Sequence, residues 1–332
     1  MKGFKETLGQ RVIIGDGVMG SLLQARLTGQ SFPDELNVTR PEIIGSIYEE
    51  YAKAGADFLT TNTFGASPLK LREISSGLEK DYERINRAGV RLARVVADRR
   101  GIWVAGNIGP CGRLIDPLGE LSFTQAVDNF ARQARALAEA GADFILIETM
   151  TDIQEFRAAV VAALSVTDLP LAASMSFTNE ELSISGTDGE VFAVSADFVG
   201  MHAIGANCGH SLANTKKVIE KIVSRSTLPV LCQANAGLPV LENGKTVFKV
   251  SAVEYADFME DIYRMGVAVI GSCCGSDPEF TRLLAERFKE KPVLKRTVSP
   301  RLFCPPAPRP LRLPKSECFL LASGSIPPAG RD

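Results

Sequence analysis

Eight short apolar runs, each followed by a stretch with helical periodicity, are the feature that most constrains the fold of this 332-residue chain. The runs are rich in β-branched residues and recur at nearly even spacing, a pattern typical of strands that alternate with helices. Strands are predicted at residues 12–17, 57–64, 103–110, 143–150, 170–177, 203–208, 229–235 and 267–274. Helices are predicted at residues 39–54, 79–99, 122–140, 151–165, 191–200, 212–225, 251–265 and 277–289.

This alternation predicts an α/β fold of the (β/α)8 TIM barrel type, because eight near-continuous apolar strands and eight helices fit that architecture in number and length. Two helix-to-strand junctions repeat almost verbatim, as KAGADFLTTNT and EAGADFILIET, and RMGVAVIGS follows the same plan. In each junction the glycine stands where a helix end needs a left-handed residue. The alternative, an open doubly wound sheet, would usually show G-x-G-x-x-G after the first strand, and that motif is absent here.

Basic and acidic residues nearly balance, with 37 Lys and Arg against 39 Asp and Glu. The balance excludes a broad electrostatic attraction to nucleic acid or to an anionic membrane, so a small ligand is expected. No run of about 18 apolar residues is present to cross a bilayer. The opening MKGFKETLGQRV lacks the apolar centre of a signal peptide. We therefore expect a cytoplasmic protein whose seven cysteines are thiols or metal ligands.

The composition changes after about residue 291, where the chain becomes rich in Pro, Arg and Ser and loses helical periodicity. Such a segment is typical of a linker or tail, here with one short strand predicted at CFLLASG. We therefore predict two parts, a barrel over residues 1–291 and a Pro-rich C-terminal tail over residues 292–332.

Polar residues stand at the ends of the predicted strands, where the chemistry of a (β/α)8 barrel gathers. They are Asp16-Gly17, Asn62-Thr63, Asn107, Glu148-Thr149, Ser176, Asn207-Cys208, Gln233, Asn235 and Cys273-Cys274. An asparagine in such a place, as at Asn62 or Asn235, orients a substrate or caps a neighbouring loop, and both roles remain open.

Three of these residues are cysteines, Cys208 in GANCG and the adjacent pair Cys273 and Cys274 in GSCCG. Three soft thiolates in one pocket suit zinc, which binds sulfur tetrahedrally at about 2.3 Å and keeps a fourth position open in catalytic sites. The alternatives are buried apolar cysteines and a vicinal disulfide, which ring strain and the cytosol disfavour. The glycines around both strand ends favour the zinc site.

The remaining candidate ligands are assigned as follows. Cys232 lies inside a predicted strand and belongs to the core. Three further cysteines lie in loops or in the tail: Cys111, Cys304 and Cys318. His202 and His210 flank the sixth strand and are alternative metal ligands. The segment SDPE at residues 276–279 predicts a capping box, so a helix should begin directly after the cysteine pair.

Seven motifs in order make the chain resemble the homocysteine S-methyltransferase family. They are GDGVMGSLL, TNTFGAS, NIGPCG, EAGADFILIETM, GANCG, NAGLP and GSCCGSDPE, and they run from about residue 10 to about residue 290. Members of the family include the homocysteine-binding module of cobalamin-dependent methionine synthase, betaine-homocysteine methyltransferase and S-methylmethionine-dependent enzymes.

The resemblance implies methyl transfer to the thiol of homocysteine, giving methionine. Zn2+ would be held by Cys208, Cys273 and Cys274, with the substrate thiol in the fourth position and no catalytic group beyond that zinc-activated thiol. Coordination deprotonates a thiol whose free pKa is about 8.5, and three thiolate ligands keep the bound sulfur electron-rich.

The resemblance also implies how the amino-acid part of homocysteine is bound. Asp16 and Glu148 would lie near the amino group, and the backbone amides of Gly17, Val18 and Met19 near the carboxylate. Asn62 and Asn235 are added as weaker substrate-binding candidates.

The family uses several methyl donors, and the tail favours one of them. Its end, LASGSIPPAGRD, is similar to the segment with which the folate-binding module of methionine synthase opens. The expected donor is therefore methylcobalamin carried by another domain or protein, with S-methylmethionine and betaine as alternatives. The family commonly reads GGCCGTTPxH where this chain has Ser272, Ser276-Asp277 and Phe280. This departure puts the donor and the contacts at the rim in doubt.

Two other classes of function compete with this interpretation. A non-catalytic zinc-containing barrel used as a binding module would want a fourth protein ligand, for which His210 or Cys232 is available. A metal-free aldolase or lyase would want a lysine at a strand end, and no predicted strand ends in Lys.

We predict about one zinc ion per chain, because three thiolates and one exogenous ligand complete a single tetrahedral site. Cys208→Ala or Cys273→Ala should lose the metal while the barrel stays folded, as measured by elemental analysis and circular dichroism. Carefully reduced wild-type protein that contains no zinc would refute the metal site.

Overall fold

The computed structural model describes residues 2–27, 32–242 and 245–299 and confirms the (β/α)8 barrel. Eight parallel strands form one sheet. They are β1 (Ile13–Ile14), β2 (Phe58–Thr60), β3 (Trp103–Ile108), β4 (Phe144–Met150), β5 (Leu171–Met175), β6 (Ala203–Cys208), β7 (Val230–Ala234) and β10 (Val269–Ser272). Their order in the sheet is β1-β10-β7-β6-β5-β4-β3-β2. Two further strands, β8 (Pro239–Glu242) and β9 (Lys245–Phe248), form an antiparallel hairpin that the sequence patterns did not predict.

All eight predicted helices are present in the structure. They are α4 (Pro41–Ala54), α6 (Tyr82–Arg100), α7 (Phe123–Glu139), α8 (Ile153–Val166), α9 (Gly189–Asp197), α10 (Leu212–Arg225), α11 (Ala252–Arg264) and α12 (Pro278–Phe288). Short helices that were not predicted are α1 (Phe4–Thr7), α2 (Gly20–Arg26), α3 (Leu36–Thr39), α5 (Pro68–Ile74) and the 3-10 turns Pro33–Glu35 and Leu78–Asp81.

Side-chain caps and glycines set the ends of the barrel helices. Ser122 and Ser251 begin α7 and α11 with complete capping boxes, which satisfy backbone N–H groups that have no partner inside the helix. The three junction glycines, Gly55, Gly141 and Gly266, have φ angles of 101°, 101° and 81°. This left-handed conformation confirms the role predicted for them, since it turns the chain from helix into strand.

The seam between β1 and β2 is joined by carboxylates. Asp57 donates its backbone N–H to the Ile14 carbonyl at 2.7 Å and accepts the Ile14 N–H on Oδ2 at 2.8 Å. Arg11 forms a salt bridge with the same carboxylate at 2.9 Å. Further along the seam, Asp16 accepts hydrogen bonds from the backbone N–H and the hydroxyl of Thr60, both at 2.7 Å.

Aromatic side chains fill the N-terminal half of the barrel. Phe4 of α1 stacks on Phe144 with ring centroids 3.8 Å apart and meets the edge of Trp103 at 5.8 Å. Phe58 of β2 packs edge-on against Phe144 of β4. The short helix before β1 therefore closes this end with an apolar side chain, and the opposite, C-terminal end remains for a site.

The chain after α12 returns along the barrel. The Lys291 carbonyl accepts the Val12 N–H at 2.8 Å, the Tyr263 hydroxyl donates to the Pro292 carbonyl at 3.2 Å, and Ser299 donates its N–H to Ser224 at 2.8 Å. The first residues assigned to the tail thus contact the barrel. The rest of the predicted tail, with Cys304, Cys318 and the strand at CFLLASG, lies outside the described residues. Among the helices of the described ranges, none is long and apolar enough to span a bilayer.

Phe4→Ala should lower the free energy of unfolding by about 3 kcal/mol, because it empties a buried aromatic position between two other rings. Chemical denaturation followed by circular dichroism measures the change. Phe198→Ala is the matched control, since Phe198 is 45% exposed and its truncation leaves no interior cavity. Equal effects of the two substitutions would contradict the closing role of Phe4.

Candidate active site

The register of three neighbouring strands brings the cysteines together. Cys208 at the end of β6 and Ser272 at the end of β10 both pair with Ala234 of β7, one from each side. Cys273 continues past Ser272 and donates its N–H to the Ala234 carbonyl at 2.8 Å. The cysteines of β6 and β10 thus lie two strand spacings apart, about 10 Å between backbones, a span that two inward-reaching side chains and one ion can cover.

The backbone turns at the cysteines, which explains how adjacent residues reach one site. Cys208 itself has a φ of 57°, and Gly275 follows the cysteine pair with a φ of 81°. Ser276 closes the turn by donating its N–H at 3.2 Å and its hydroxyl at 2.7 Å to the Cys273 carbonyl. The predicted helix start after the pair is confirmed, but Asp277 caps α12 in place of Ser276, because the serine is used in this turn.

The three sulfurs fit a metal ion. The Sγ atoms of Cys208, Cys273 and Cys274 all lie within 4.8 Å of one another. Tetrahedral zinc with sulfur at about 2.3 Å needs sulfurs about 3.8 Å apart, so small side-chain adjustments suffice. In the part of the chain that the structure describes, this is the one cluster of three or more His, Cys, Asp or Glu side chains that could hold an ion.

The sulfurs also perturb one another electrostatically. Hydrogen bonds from the Cys273 and Cys274 thiols lower the pKa of Cys208, and hydrogen bonding to Cys208 raises the pKa of both partners. The three groups therefore resist becoming thiolates together without a counter-charge. A divalent cation bound to the three sulfurs would supply that charge.

The alternative ligands do not join the cluster. His202 lies at the opposite end of β6, where its Nδ1 accepts the Leu171 N–H at 3.2 Å. His210 borders a small cavity that Cys208 also lines, but its ring nitrogens do not belong to the cluster of sulfurs. Cys232 is fully buried within β7, as predicted, and burial raises its thiol pKa to about 12. Among the described residues the cluster therefore has three protein ligands and lacks a fourth.

A cavity of about 320 Å³ opens beside the sulfurs at the C-terminal end of the barrel. The predicted site residues that line it are Asp16, Gly17, Val18, Met19, Asn62, Glu148, Cys208, Cys273 and Cys274. Asn107, Thr149 and Gln233, which were named as polar strand-end residues, line it as well. Lining residues that were not named as site candidates from the sequence include Pro33, Asp34, Phe64 and Ser272. The structure thus brings the predicted set together, apart from Asn235.

Two buried carboxyl groups, Asp16 and Asp34, and the partly buried Glu148 face this cavity. Asp16 and Asp34 are each 3% exposed, and desolvation raises the pKa of each to about 7. Desolvation likewise raises the pKa of Glu148 to about 7, although Asn107 donates to its Oε1 at 2.8 Å. None of the three forms a salt bridge with a basic side chain of the described residues. Unpaired buried acids are costly, so this cluster is typical of a site prepared for a cationic group.

Asp34 is the carboxylate that sequence reasoning missed. Its Oδ1 accepts the Gly65 N–H at 2.9 Å, and the segment that carries it is tied to Asn62, whose Nδ2 donates to the Pro33 carbonyl at 2.7 Å and to Asn37 at 3.1 Å. Asn62 thus supports Asp34 while lining the cavity. In the sequence FPDELN the aspartate looks like an ordinary residue of a helix start, so no local signal distinguishes it.

Asn235 lies behind the cluster of three sulfurs. Its Oδ1 accepts the Cys274 N–H at 3.1 Å and its Nδ2 donates to the Gly209 carbonyl at 3.0 Å. One side chain therefore links the loops that carry the cysteines of β6 and β10. The hairpin adds a second support, because the Phe248 ring lies directly against Gly275, where any Cβ would stand 2.1 Å from the ring.

Phe280, which replaces a histidine common in the family, is a core residue here. It is 6% exposed and packs edge-on against Tyr255 with ring centroids 5.3 Å apart. The Tyr255 hydroxyl donates to the carbonyls of Ala234 and Gly271 behind the cysteines. Phe280 therefore packs in the layer behind the cysteines, as a buried apolar ring.

A larger groove of about 710 Å³ lies between α5, α7 and the loop after β3. Its arginines are engaged by neighbours: Arg113 pairs with Glu73 at 3.0 Å and Arg132 stacks over Tyr82 at 4.6 Å. It contains none of the cysteines, so the acidic cavity beside the sulfurs is the candidate active site.

Comparison with known proteins shows the family of the chain. The family model of homocysteine S-methyltransferases matches residues 13–288, which is most of the chain. The chain belongs to this family. The site of this homocysteine S-methyltransferase family member includes both cysteine motifs on which the resemblance was based.

Two curated relatives are methionine synthases. That of Mycobacterium leprae (strain TN) is 29% identical over 298 residues, covering 84% of this chain and 24% of the relative. That of Mycobacterium tuberculosis (strain ATCC 25618 / H37Rv) is 30% identical over 298 residues, covering 84% of this chain and 25% of the relative. This family member thus spans about a quarter of the length of these relatives.

Solved structures of one enzyme share the fold. The homocysteine methyltransferase MmuM from Escherichia coli, in its metallated form, superposes with a TM-score of 0.71 at 22% identity, covering 84% of this chain and 96% of that one. The oxidized form of the same enzyme superposes with a TM-score of 0.69 at 24% identity, covering 83% of this chain and 96% of that one. At these identities the likeness supports the barrel architecture.

Asp34→Asn should stabilise the zinc-free protein at pH 8 by about 1–2 kcal/mol, because it removes a buried charge without a partner. The gain should be smaller at pH 5, because burial raises the pKa of the folded-state carboxyl to about 7 and it is protonated there, while the aspartate of the unfolded chain is still ionised. It should vanish only below about pH 4, where the carboxyl is protonated in both states. Denaturant titrations at both pH values measure this. Asp128→Asn, at an exposed carboxylate, is the control and should show no such pH dependence. Destabilisation by Asp34→Asn at both pH values would contradict the interpretation.

Proposed function

We propose that this barrel transfers a methyl group to the thiol of homocysteine, giving methionine, in the manner of methionine synthase. The observation that carries the proposal is a cluster of three cysteine sulfurs, without a fourth ligand among the described residues, beside an acidic cavity. One small molecule with a thiol at one end and an ammonium group at the other is complementary to both parts. Membership of the homocysteine S-methyltransferase family supports this choice of substrate.

Zn2+ is the proposed ion, because the donor set is three thiols and their spacing suits tetrahedral coordination. When bound, zinc would supply a thiolate at neutral pH from a substrate thiol that is otherwise mostly protonated. Cys208, Cys273 and Cys274 would hold the ion. Asn235 and the turn closed by Ser276 would keep those cysteines in place.

The amino-acid end of the substrate would be bound by the other residues of the cavity. Asp16, Asp34 and Glu148 offer negative charge to the ammonium group, and that group in turn would favour their ionised forms. The backbone N–H groups of Gly17, Val18 and Met19 would meet the carboxylate. Tyr51 fixes this loop by donating its hydroxyl to the Val18 carbonyl at 2.8 Å.

Methylcobalamin carried by another domain or protein is the proposed donor. The support is that the curated relatives are methionine synthases, of which this chain matches about a quarter. A donor on a separate domain must approach the open C-terminal end of the barrel, because the other end is closed by Phe4. The predicted division into a barrel over residues 1–291 and a tail over residues 292–332 leading toward a folate-binding module is part of this proposal.

Two alternatives compete with this proposal. S-methylmethionine or betaine as donor would need no partner, and the fold of MmuM shows that a similar barrel occurs in a homocysteine methyltransferase. A non-catalytic zinc-containing barrel would be expected to complete its site with a fourth protein ligand, and neither His210 nor Cys232 lies in the sulfur cluster.

We expect methionine to form from homocysteine and free methylcobalamin, and to form much more slowly with S-methylmethionine or betaine. The zinc-loaded protein is incubated with homocysteine and each donor separately, and methionine is quantified by mass spectrometry. Cys273→Ala is the control and should lower the rate by at least about a hundredfold, since it removes a ligand of the activating metal. Turnover with betaine alone would overturn the proposed donor, and zinc-loaded protein that does not bind homocysteine would overturn the proposed function.

A further inference from the structure

Asn207 joins the ends of three strands through one buried amide. Its Oδ1 accepts the Thr149 N–H at 2.8 Å and the Ser174 hydroxyl at 2.7 Å. Its Nδ2 donates to the Thr149 hydroxyl at 2.7 Å and to Glu148 Oε2 at 3.3 Å. The orientation of the amide is unambiguous, because a backbone N–H can only donate. The residue is 1% exposed, and all four hydrogen-bonding positions of the amide are used.

The amide lies between two strained backbone positions. Thr149, next to Glu148, has a φ of 61°, and Cys208, next to Asn207, has a φ of 57°. Left-handed conformations at residues other than glycine persist only where the surroundings enforce them, and they cluster at functional sites. Asn207 enforces the first directly, since it holds both the N–H and the hydroxyl of Thr149.

These contacts place the carboxylate and the sulfur in one rigid unit. Glu148 is the last acidic residue of β4, and Cys208 is the neighbour of Asn207 on β6. Asn107 also donates a hydrogen bond to Glu148, at 2.8 Å, but it lies on β3, and that strand carries no cysteine of the sulfur cluster. Asn207 is therefore the residue whose contacts connect Glu148, in the acidic part of the cavity, to the sulfur cluster.

We propose that Asn207 is a positioning residue that sets the distance between the ammonium site at Glu148 and the metal site at Cys208. The inference rests on the proposed function and deepens it. A substrate with a thiol two carbons from its α-carbon can engage both ends only if the two contact points are held at matching separation. Asn207 thereby selects thiols that carry an amino group at this distance over thiols that lack it.

The test compares two thiols that differ only in the amino group. Isothermal titration calorimetry measures the binding of homocysteine and of 4-mercaptobutanoic acid to the zinc-loaded protein, so no methyl donor is required. Asn207→Ala should weaken homocysteine binding by about tenfold, as expected for losing an oriented charged contact, and change 4-mercaptobutanoic acid binding by less than about twofold. The zinc content should remain that of the wild type.

A double-mutant cycle with Glu148→Gln separates positioning from a general structural role. If Asn207 acts through Glu148, the double variant should bind homocysteine as weakly as Glu148→Gln alone, because coupled residues are not additive. Additive losses, equal weakening of both thiols, or loss of zinc from Asn207→Ala would each overturn the proposal.

Ser174→Ala is the milder variant if Asn207→Ala does not fold. It removes one of the four hydrogen bonds of the amide and leaves the contacts to Glu148 and Thr149. A loss of homocysteine affinity of about two- to fourfold without a loss for 4-mercaptobutanoic acid is expected, and an unselective effect would overturn the proposal. If the wild-type protein does not bind homocysteine more tightly than 4-mercaptobutanoic acid, both the proposed function and the role of Asn207 are refuted. If the wild-type protein shows this preference and the variants keep it, only the role of Asn207 is refuted.

Discussion

The pairing of β6 and β10 with the same residue of β7 is the constraint on which the site depends. Ala234 is the partner of Cys208 on one side and of Ser272 on the other. Because side chains alternate along a strand, a shift of either register by one residue would turn its cysteine away from the common face. Tyr255 reinforces this register by donating its hydroxyl to carbonyls of both β7 and β10. The sulfur cluster is thus a consequence of sheet register.

Closure of the barrel and binding at its mouth share residues. Asp16 joins β1 to β2 through Thr60 and also lines the acidic cavity. Asp57 performs the joining role nearer the N-terminal end, but it is paired with Arg11, whereas Asp16 has no basic partner among the described residues. Asp57 is therefore a structural carboxylate whose charge is compensated within the protein, whereas the charge of Asp16 is left for a cationic group of a ligand.

Much of the fold and most of the site were predictable, because both rest on local patterns. Helix caps, junction glycines and strand periodicity are local, and a barrel gathers the residues at strand ends whatever its details. Asp34 and the roles of Asn62, Asn207 and Asn235 were not predictable. Each depends on hydrogen bonds between segments distant in sequence, such as the contact of Asn207 with Glu148, 59 positions apart. The hairpin of β8 and β9 was missed because its strands are four residues long and lie within the connection between β7 and α11, although the sequence reads Asn-Gly, a typical hairpin turn, between them.

Around the site, a left-handed backbone conformation occurs at Gly275 and also at two residues that are not glycine, Cys208 and Thr149. Gly275 relieves the turn after the cysteine pair, and it needs no side chain because Phe248 occupies the space. At Cys208 and Thr149 the same conformation costs about 1–3 kcal/mol each, which glycine would remove. Cys208 must contribute a sulfur, however, and the Thr149 hydroxyl accepts the hydrogen bond from Asn207. The strain is therefore retained at the two positions where a side chain is needed, and Asn207 lies between them as the contact that offsets it.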